Sequence, residues 1–319
     1  MPLPISILLI CTGVAALYFG AAWLVQGASS LALRLGLTPL LVGLTVVAYG
    51  ASTPELLVSA MAAADGRSNI ALGNIIGSNI LNVGVILGLT ALVFPLRVRL
   101  PLLRLDVPVM VGASLMFLAF LLDGTIALLE SLALLGLLAV YSLVNIRNAR
   151  RQNGGDVAPA RPDAAFHSVF TSGMSLAFIV AGLTTLVVGS RLFVTGAVAM
   201  ARVLDISEIV IGLTIVAVGT SLPELAASLM AAWRRQPDLA VGNIVGSSIY
   251  NILAIGGLSG TLFGPLAMPS TSLKDVVIMI GFSLLLVPIA RTGFKLQRWE
   301  GGLLLALYGG YLWHLWPDH

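Results

Sequence analysis

Charge is what this chain has least of: 10% of its 319 residues are Asp, Glu, Lys or Arg, against 58% apolar, where a soluble domain carries about a quarter charged. With a mean hydropathy of +1.01, that scarcity excludes a soluble globular protein and leaves a polytopic membrane protein. There is one cysteine, Cys11; it cannot form an internal disulfide and, inside an apolar run, reads as a packing residue. No Lys or Arg precedes Arg34, so the first apolar run lacks the basic flank of a secretory signal peptide and is expected to persist as a spanning helix. Short segments of alternating polarity, the mark of a membrane β-barrel, are missing. So is any His-Glu-x-x-His helix or convergent Cys/His set, which argues against a metalloprotease and against soft transition metals. The three histidines, His167, His314 and His319, fall near expected helix ends or in a linker.

What the chain does have is long apolar runs. Ten candidates lie near residues 4–33, 38–64, 69–94, 102–122, 125–146, 168–201, 207–233, 239–263, 273–290 and 299–316; a helix needs about 20 residues to cross a bilayer, and the several longer runs imply tilt or a break. The expected class is an all-α membrane protein of ten transmembrane helices. Placing both termini outside puts Arg34, Arg97, Arg99, Arg104, Arg147, Arg150, Arg151, Arg161, Arg234, Arg235, Arg291, Lys295 and Arg298 in cytoplasmic loops and only Arg67, Arg202 and Lys274 in outer ones. Positive residues favour the cytoplasmic side, so the pI of about 9.3 reports orientation and not a nucleic-acid partner. The stretch 147–167, with Gly154-Gly155, Pro159 and Pro162, reads as a flexible cytoplasmic connector between residues 1–146 and 168–319. Arg191 is read as structural, and Tyr311, Trp313 and Trp316 as an interfacial anchor.

The two halves repeat one another. Glu224 lies 169 positions after Glu55, and the same offset pairs Gly20 with Gly189, Gly43-Leu44-Thr45 with Gly212-Leu213-Thr214, and Ser59 with Ser228. It also pairs the run from Gly73 to Asn82 with that from Gly242 to Asn251, so the motif regions are 43–82 and 212–251. Five spans is an odd number, so the second copy enters from the opposite side. Such inverted five-helix repeats are typical of secondary transporters, whose sites lie where broken helices from each half meet. Duplication retained for packing would account for the glycines; it does not account for duplicated Glu, Asn and Ser.

Each motif carries its own chemistry. A carboxylate in hydrocarbon costs at least a few kcal/mol, which makes the pair Glu55 and Glu224 a functional expectation. Pro54 lacks an N–H and crowds the Gly50 carbonyl, and Pro223 does the same to Gly219, so each motif helix is expected to break and free backbone oxygens. Ser52 and Glu55 share a helical face, as do Ser221 and Glu224. Asn74, Ser78 and Asn82 form one polar stripe and Asn243, Ser247 and Asn251 another, expected to face the carboxylates. An all-oxygen set of this kind suits a hard cation such as Ca²⁺. Two ionised Glu are neutralised by one Ca²⁺ or by Na⁺, and an unloaded dianionic site is costly to enclose, so exchange is more plausible than uniport. A cation channel filtered by carboxylates is the reading from a different class.

The paired Gly-x-Ser-x-Pro-Glu and Gly-Asn-x-x-Gly-Ser-x-x-x-Asn phrases resemble the α-repeats of the calcium/cation antiporter superfamily, particularly compact prokaryotic sodium/calcium exchangers. The resemblance implies ten helices, ligands on the second, third, seventh and eighth, and a first and sixth helix that slide as a gating bundle. It places Glu55 and Glu224 at the centre with Ser52, Ser78, Ser221, Ser247, Asn82 and Asn251 around them, and it adds the Ala48 and Ala217 carbonyls and Thr220. Many such exchangers carry Asp where this chain has Asn251, and Thr where it has Ala51. The function it implies is exchange of Ca²⁺ for Na⁺ across a prokaryotic cytoplasmic (inner) membrane, with H⁺/Ca²⁺ exchange as the alternative. It implies no cofactor, no enzymatic activity and no obligate protein partner; the partners are the ions and membrane lipid.

Overall fold

The computed structural model describes residues 2–153, 170–204, 217–268, 273–291 and 293–315. Its helices are α1 (Leu3–Leu35), α2 (Pro39–Ala51), α3 (Thr53–Ala64), α4 (Ser68–Val93), α5 (Leu102–Asp123), α6 (Leu128–Asn153), α7 (Ser172–Val203), α8 (Ala217–Thr220), α9 (Leu222–Trp233), α10 (Pro237–Phe263), α11 (Leu273–Arg291) and α12 (Arg298–Leu315). Among the described residues, α1, α4, α5, α6, α7 and α10 are long and apolar enough to cross a membrane. The pair α2 and α3, bent by 46°, passes the same test taken together, as a broken span or a re-entrant loop. The first ten residues of the expected seventh run, 207–216, lie outside the described residues, as does the connector from 154 onward.

Local signals set the helix ends. Pro39 opens α2 behind Thr38, whose Oγ1 accepts from the Leu41 N–H at 3.2 Å, and Thr171 caps α7 in the same way through Met174. Glu130 and Glu300 each reach back 2.7 Å to a backbone N–H three residues earlier, at Ala127 and Gln297, the acidic half of a capping box. The helix α6 runs to Asn153, seven residues past the expected boundary.

The packing is layered. Helices α4 and α10 are buried over most of their length, whereas α1 and α7, which lie against each other, are buried over only about a third of theirs. Glycines every seven residues, Gly13, Gly20 and Gly27 on α1 and Gly182, Gly189 and Gly196 on α7, line that contact. A Cβ at Gly20 would come within 2.8 Å of the Leu186 nitrogen, and one at Gly189 within 2.9 Å of the Leu17 nitrogen. Backbones can approach so closely only where side chains are absent.

The all-helical expectation needs one amendment: four two-residue strands, β1 (Leu96–Arg97), β2 (Thr125–Ile126), β3 (Leu266–Ala267) and β4 (Lys295–Leu296), pair antiparallel as β1 with β4 and β2 with β3. Strands this short carry no readable period. They do join loops that the charge distribution assigns to one face: Arg97 lies opposite Lys295. The pairing also locates the end of the uniform repeat. Phe94 and Phe263 keep the offset of 169, while the strands that follow are 170 apart, and the added residue is Gly264, at φ 97°, a conformation open mainly to glycine.

Candidate ion-binding site

Both motif helices break where the prolines require. α2 stops at Ala51 and α3 starts at Thr53; α8 stops at Thr220 and α9 starts at Leu222. Each break puts a Glu in the first turn of the second segment, Glu55 on α3 and Glu224 on α9, where a helix N-terminus favours negative charge. Both are 1% exposed.

The halves exchange partners across the centre. Ser52 Oγ donates to Glu224 Oε1 at 2.8 Å, and Ser221 Oγ donates to Glu55 Oε1 at 2.9 Å. Thr220 also hydrogen-bonds to Glu55. Each serine therefore serves the carboxylate of the opposite repeat, not the one three residues along its own motif. The expectation that Ser52 and Glu55, and Ser221 and Glu224, act as same-helix pairs is replaced by this cross-pairing, because the break turns each serine out of its helix before the Glu.

The polar stripes divide their work. Asn74 Nδ2 donates to the Glu55 carbonyl at 3.1 Å and to Ser59 Oγ at 2.9 Å; Asn243 Nδ2 donates to the Glu224 carbonyl at 3.2 Å and to Ser228 Oγ at 2.8 Å. These two fix the motif helices and do not touch the carboxylates. Deeper along the stripe, Asn82 and Asn251 each begin a π-helical turn, Asn82–Leu87 in α4 and Asn251–Gly256 in α10. Such widened turns recur at functional sites. Ser247 Oγ lies 3.5 Å from the Ala48 carbonyl, which also accepts the Ser52 N–H at 3.0 Å. Ser78 is buried on the same stripe, and Ala217 begins α8.

The buried oxygens left over define the chemistry. Glu55 Oε2, Glu224 Oε2, Asn82 Oδ1 and Asn251 Oδ1 are among those enclosed without a hydrogen-bond partner, as are Asn79 Oδ1 and Asn243 Oδ1 on the same two helices and the Asn251 amide nitrogen; among the described residues neither Glu has a salt bridge. No cluster of three or more His, Cys, Asp or Glu occurs there either. Two carboxylates and two amide oxygens, backed by hydroxyls and loosened carbonyls, form a hard-donor set. Buried anionic oxygens without donors are costly unless a cation or protons meet them.

Several polar residues escaped the reading of the sequence. Ser59 and Ser228 were visible only as a repeated pair, and Ser248, which accepts from Asn82 Nδ2 at 3.5 Å, has Asn79 as its counterpart and so gave no repeat signal. Asp106 is 3% exposed and accepts from Tyr141 at 2.9 Å; one repeat later Asp275 accepts from Tyr311 at 3.2 Å. Tyr311 is thus a half-buried hydrogen-bond donor and not simply an anchor, whereas Trp313 is 85% exposed. Arg191 is exposed on α7.

Two broken motif helices, one in each half, bring two buried carboxylates to each other's serines, an arrangement suited to holding a cation within a membrane protein. The family model for sodium/calcium exchanger proteins matches residues 5–147 and again 174–316, and the chain belongs to that family. It is 35% identical over 318 residues to the putative antiporter CaxA of Alkalimonas amylolytica, covering 98% of this chain and 99% of that one. It is 32% identical to the sodium/calcium exchanger MaX1 of Methanosarcina acetivorans, with 97% of each chain covered. Among solved structures it resembles the sodium-calcium exchanger NCX_Mj soaked with zero Na⁺ and Ca²⁺, at a TM-score of 0.83 and 34% identity, over 98% of this chain and 100% of that one. The chain is a multi-pass membrane protein of a transporter family.

Proposed function

We propose that the protein exchanges Ca²⁺ for Na⁺ by alternating access across a prokaryotic cytoplasmic membrane and extrudes Ca²⁺. In this reading ten spans form two inverted repeats, residues 1–146 and 168–319, with both termini outside. Glu55, Glu224, Asn82 and Asn251 supply the principal ligands, Ser52, Ser78, Ser221, Ser247 and Thr220 complete the shell with the Ala48 and Ala217 carbonyls, and Asn74 and Asn243 hold the helices that Pro54 and Pro223 break.

The observation that carries the reading is the set of four enclosed oxygens without donors, two of them carboxylate. A divalent cation neutralises both carboxylates; two Na⁺ or two protons do the same. The unloaded dianion is poorly tolerated away from water, so the halves exchange arrangement only when a cation is seated. That obligation couples the two fluxes. The names borne by CaxA and MaX1 agree with antiport.

In proteoliposomes loaded with Na⁺ and diluted into Na⁺-free medium with Ca²⁺, the expected result is Ca²⁺ uptake that collapses when K⁺ replaces internal Na⁺. Asn251, an amide in place of a third carboxylate, favours proton coupling as the second reading. Uptake indifferent to Na⁺ and driven by a pH gradient assigns H⁺ as the counter-ion.

A further inference from the structure

The proline breaks leave two matching carbonyls in need of a donor, and the chain treats them differently. Ser190 on α7 donates its hydroxyl to the Gly219 carbonyl, the one that Pro223 releases. One repeat earlier, position 190 corresponds to Ala21 on α1 and Gly219 to Gly50. Alanine has no donor, and among the described residues no side-chain donor meets the Gly50 carbonyl. The breaks differ further. The Ser52 N–H returns four residues to Ala48 at 3.0 Å, whereas the Ser221 N–H returns three residues to Val218 at 3.1 Å.

The helix α7 touches both breaks. Leu183 faces Gly50, and Val194 faces Gly219. In an inverted repeat, the alternate arrangement is reached when each half adopts the conformation of the other. The contacts of Ser190 and Val194 with Gly219 are then replaced by those of their counterparts, Ala21 and Val25, with Gly50. The Val194 contact has an apolar equivalent in Val25. The Ser190 bond has none.

We infer that Ser190 is a positioning residue that latches α7 to the second break and weights the two-state equilibrium toward the arrangement seen here, because the opposite arrangement must do without the matching bond at Ala21. The inference rests on the alternating-access reading above. A hydrogen bond between helices in a membrane changes such a ratio by about three- to tenfold. Apparent affinity on either face scales with the fraction of protein open to that face, so the ratio of Ca²⁺ half-saturation values on the two faces reports the equilibrium itself. Damage to the ligands would move both values together, and a slowed transition would move turnover alone.

The test is two-sided Ca²⁺ flux in oriented vesicles for wild type, Ser190→Ala, Ala21→Ser and the double variant. Ser190→Ala is expected to shift the ratio about three- to tenfold. Ala21→Ser, which equips the opposite arrangement with the missing donor, is expected to shift it in the same direction, and the double variant by the product of the two. Ser190→Thr, which keeps the hydroxyl, should stay near wild type. If Ser190→Ala does not yield folded protein, Ala21→Ser carries the test alone. An unchanged ratio in the variants that still exchange Ca²⁺ overturns the latch and leaves the exchanger intact. Absence of Ca²⁺ flux in wild type overturns the substrate reading instead, and the latch is then judged without transport. Spin labels on native Cys11 of α1 and on Leu129→Cys of α6, both exposed, report the populations of two interhelix distances; these must redistribute by the same factor in Ser190→Ala. A single unshifted distance in every variant would sink it.

Discussion

Around Glu55 and around Glu224 the chain makes the same bonds: a serine from the opposite half to the carboxylate, and an asparagine to the backbone carbonyl and to a second serine, with paired distances that agree to within 0.1 Å. A few residues earlier, at the breaks, the likeness ends. One freed carbonyl accepts a serine hydroxyl, from Ser190, and the other meets no side-chain donor among the described residues. In the proposed exchanger, a site that grips the same ions from either side of the membrane has reason to keep the symmetry of its two halves. The helices that decide which side has access would break that symmetry in any one state. On that proposal the difference between the halves reports conformation, and their likeness reports binding.

The strongest way to break this comparison is at the carboxylates. Glu55→Gln and Glu224→Gln are each expected to lower Ca²⁺ exchange by at least about 100-fold, beyond the 10- to 100-fold that outer partners of a metal site typically cost. The two losses should be equal within a few-fold in a flux assay. One variant that keeps near-normal flux while the other is dead would show that the halves are not equivalent ligands. Next come the buttresses: Asn74→Ala and Asn243→Ala each strand a Glu carbonyl and a serine hydroxyl, and each is expected to raise the Ca²⁺ concentration for half-maximal flux by about 10- to 100-fold. Retention of wild-type affinity by either would demote it to packing.

Glycine packing beside the first break gives the next effect. Gly242→Ala would place a Cβ 2.8 Å from the Leu40 carbonyl and is expected to destabilise the folded protein by about 1–3 kcal/mol, as overpacking does. Thermal unfolding in detergent reads it. An unchanged midpoint would mean that α2 moves aside from α10 at little cost.

Much of this was legible in the residue string because function was written twice. The common offset located Glu55 with Glu224, Pro54 with Pro223 and Asn82 with Asn251, and a proline's missing N–H dictated the breaks before any coordinate. The cross-pairing of Ser52 and Ser221 was not legible, since helical spacing places each beside its own Glu and only the turned break sends it to the other half. Ser190 was hidden by the very rule that found the rest: its counterpart is Ala21, so a search for repetition passes over it. Asp106 was obscured by composition. Arg97, Arg99 and Arg104 nearby make the segment read as a charged loop entering a helix, yet the π-helical turn Leu102–Asp106 rotates this carboxylate inward to Tyr141.

That buried pair yields the smallest expected effect. The bond from Tyr141 to Asp106 joins two side chains each 3% exposed, while the equivalent bond from Tyr311 to Asp275 is longer and joins half-buried groups. Removing a hydroxyl from a buried carboxylate leaves that carboxylate to bear its desolvation alone; where water can reach, solvent replaces the donor. Tyr141→Phe is therefore expected to cost about 1–2 kcal/mol and Tyr311→Phe only a few tenths, read as a clear drop in unfolding midpoint for the first and little change for the second. Equal drops would mean that the Asp275 pocket is as dry as that of Asp106, and the asymmetry between the halves would then be confined to the breaks and to the helices α1 and α7 that lie against them.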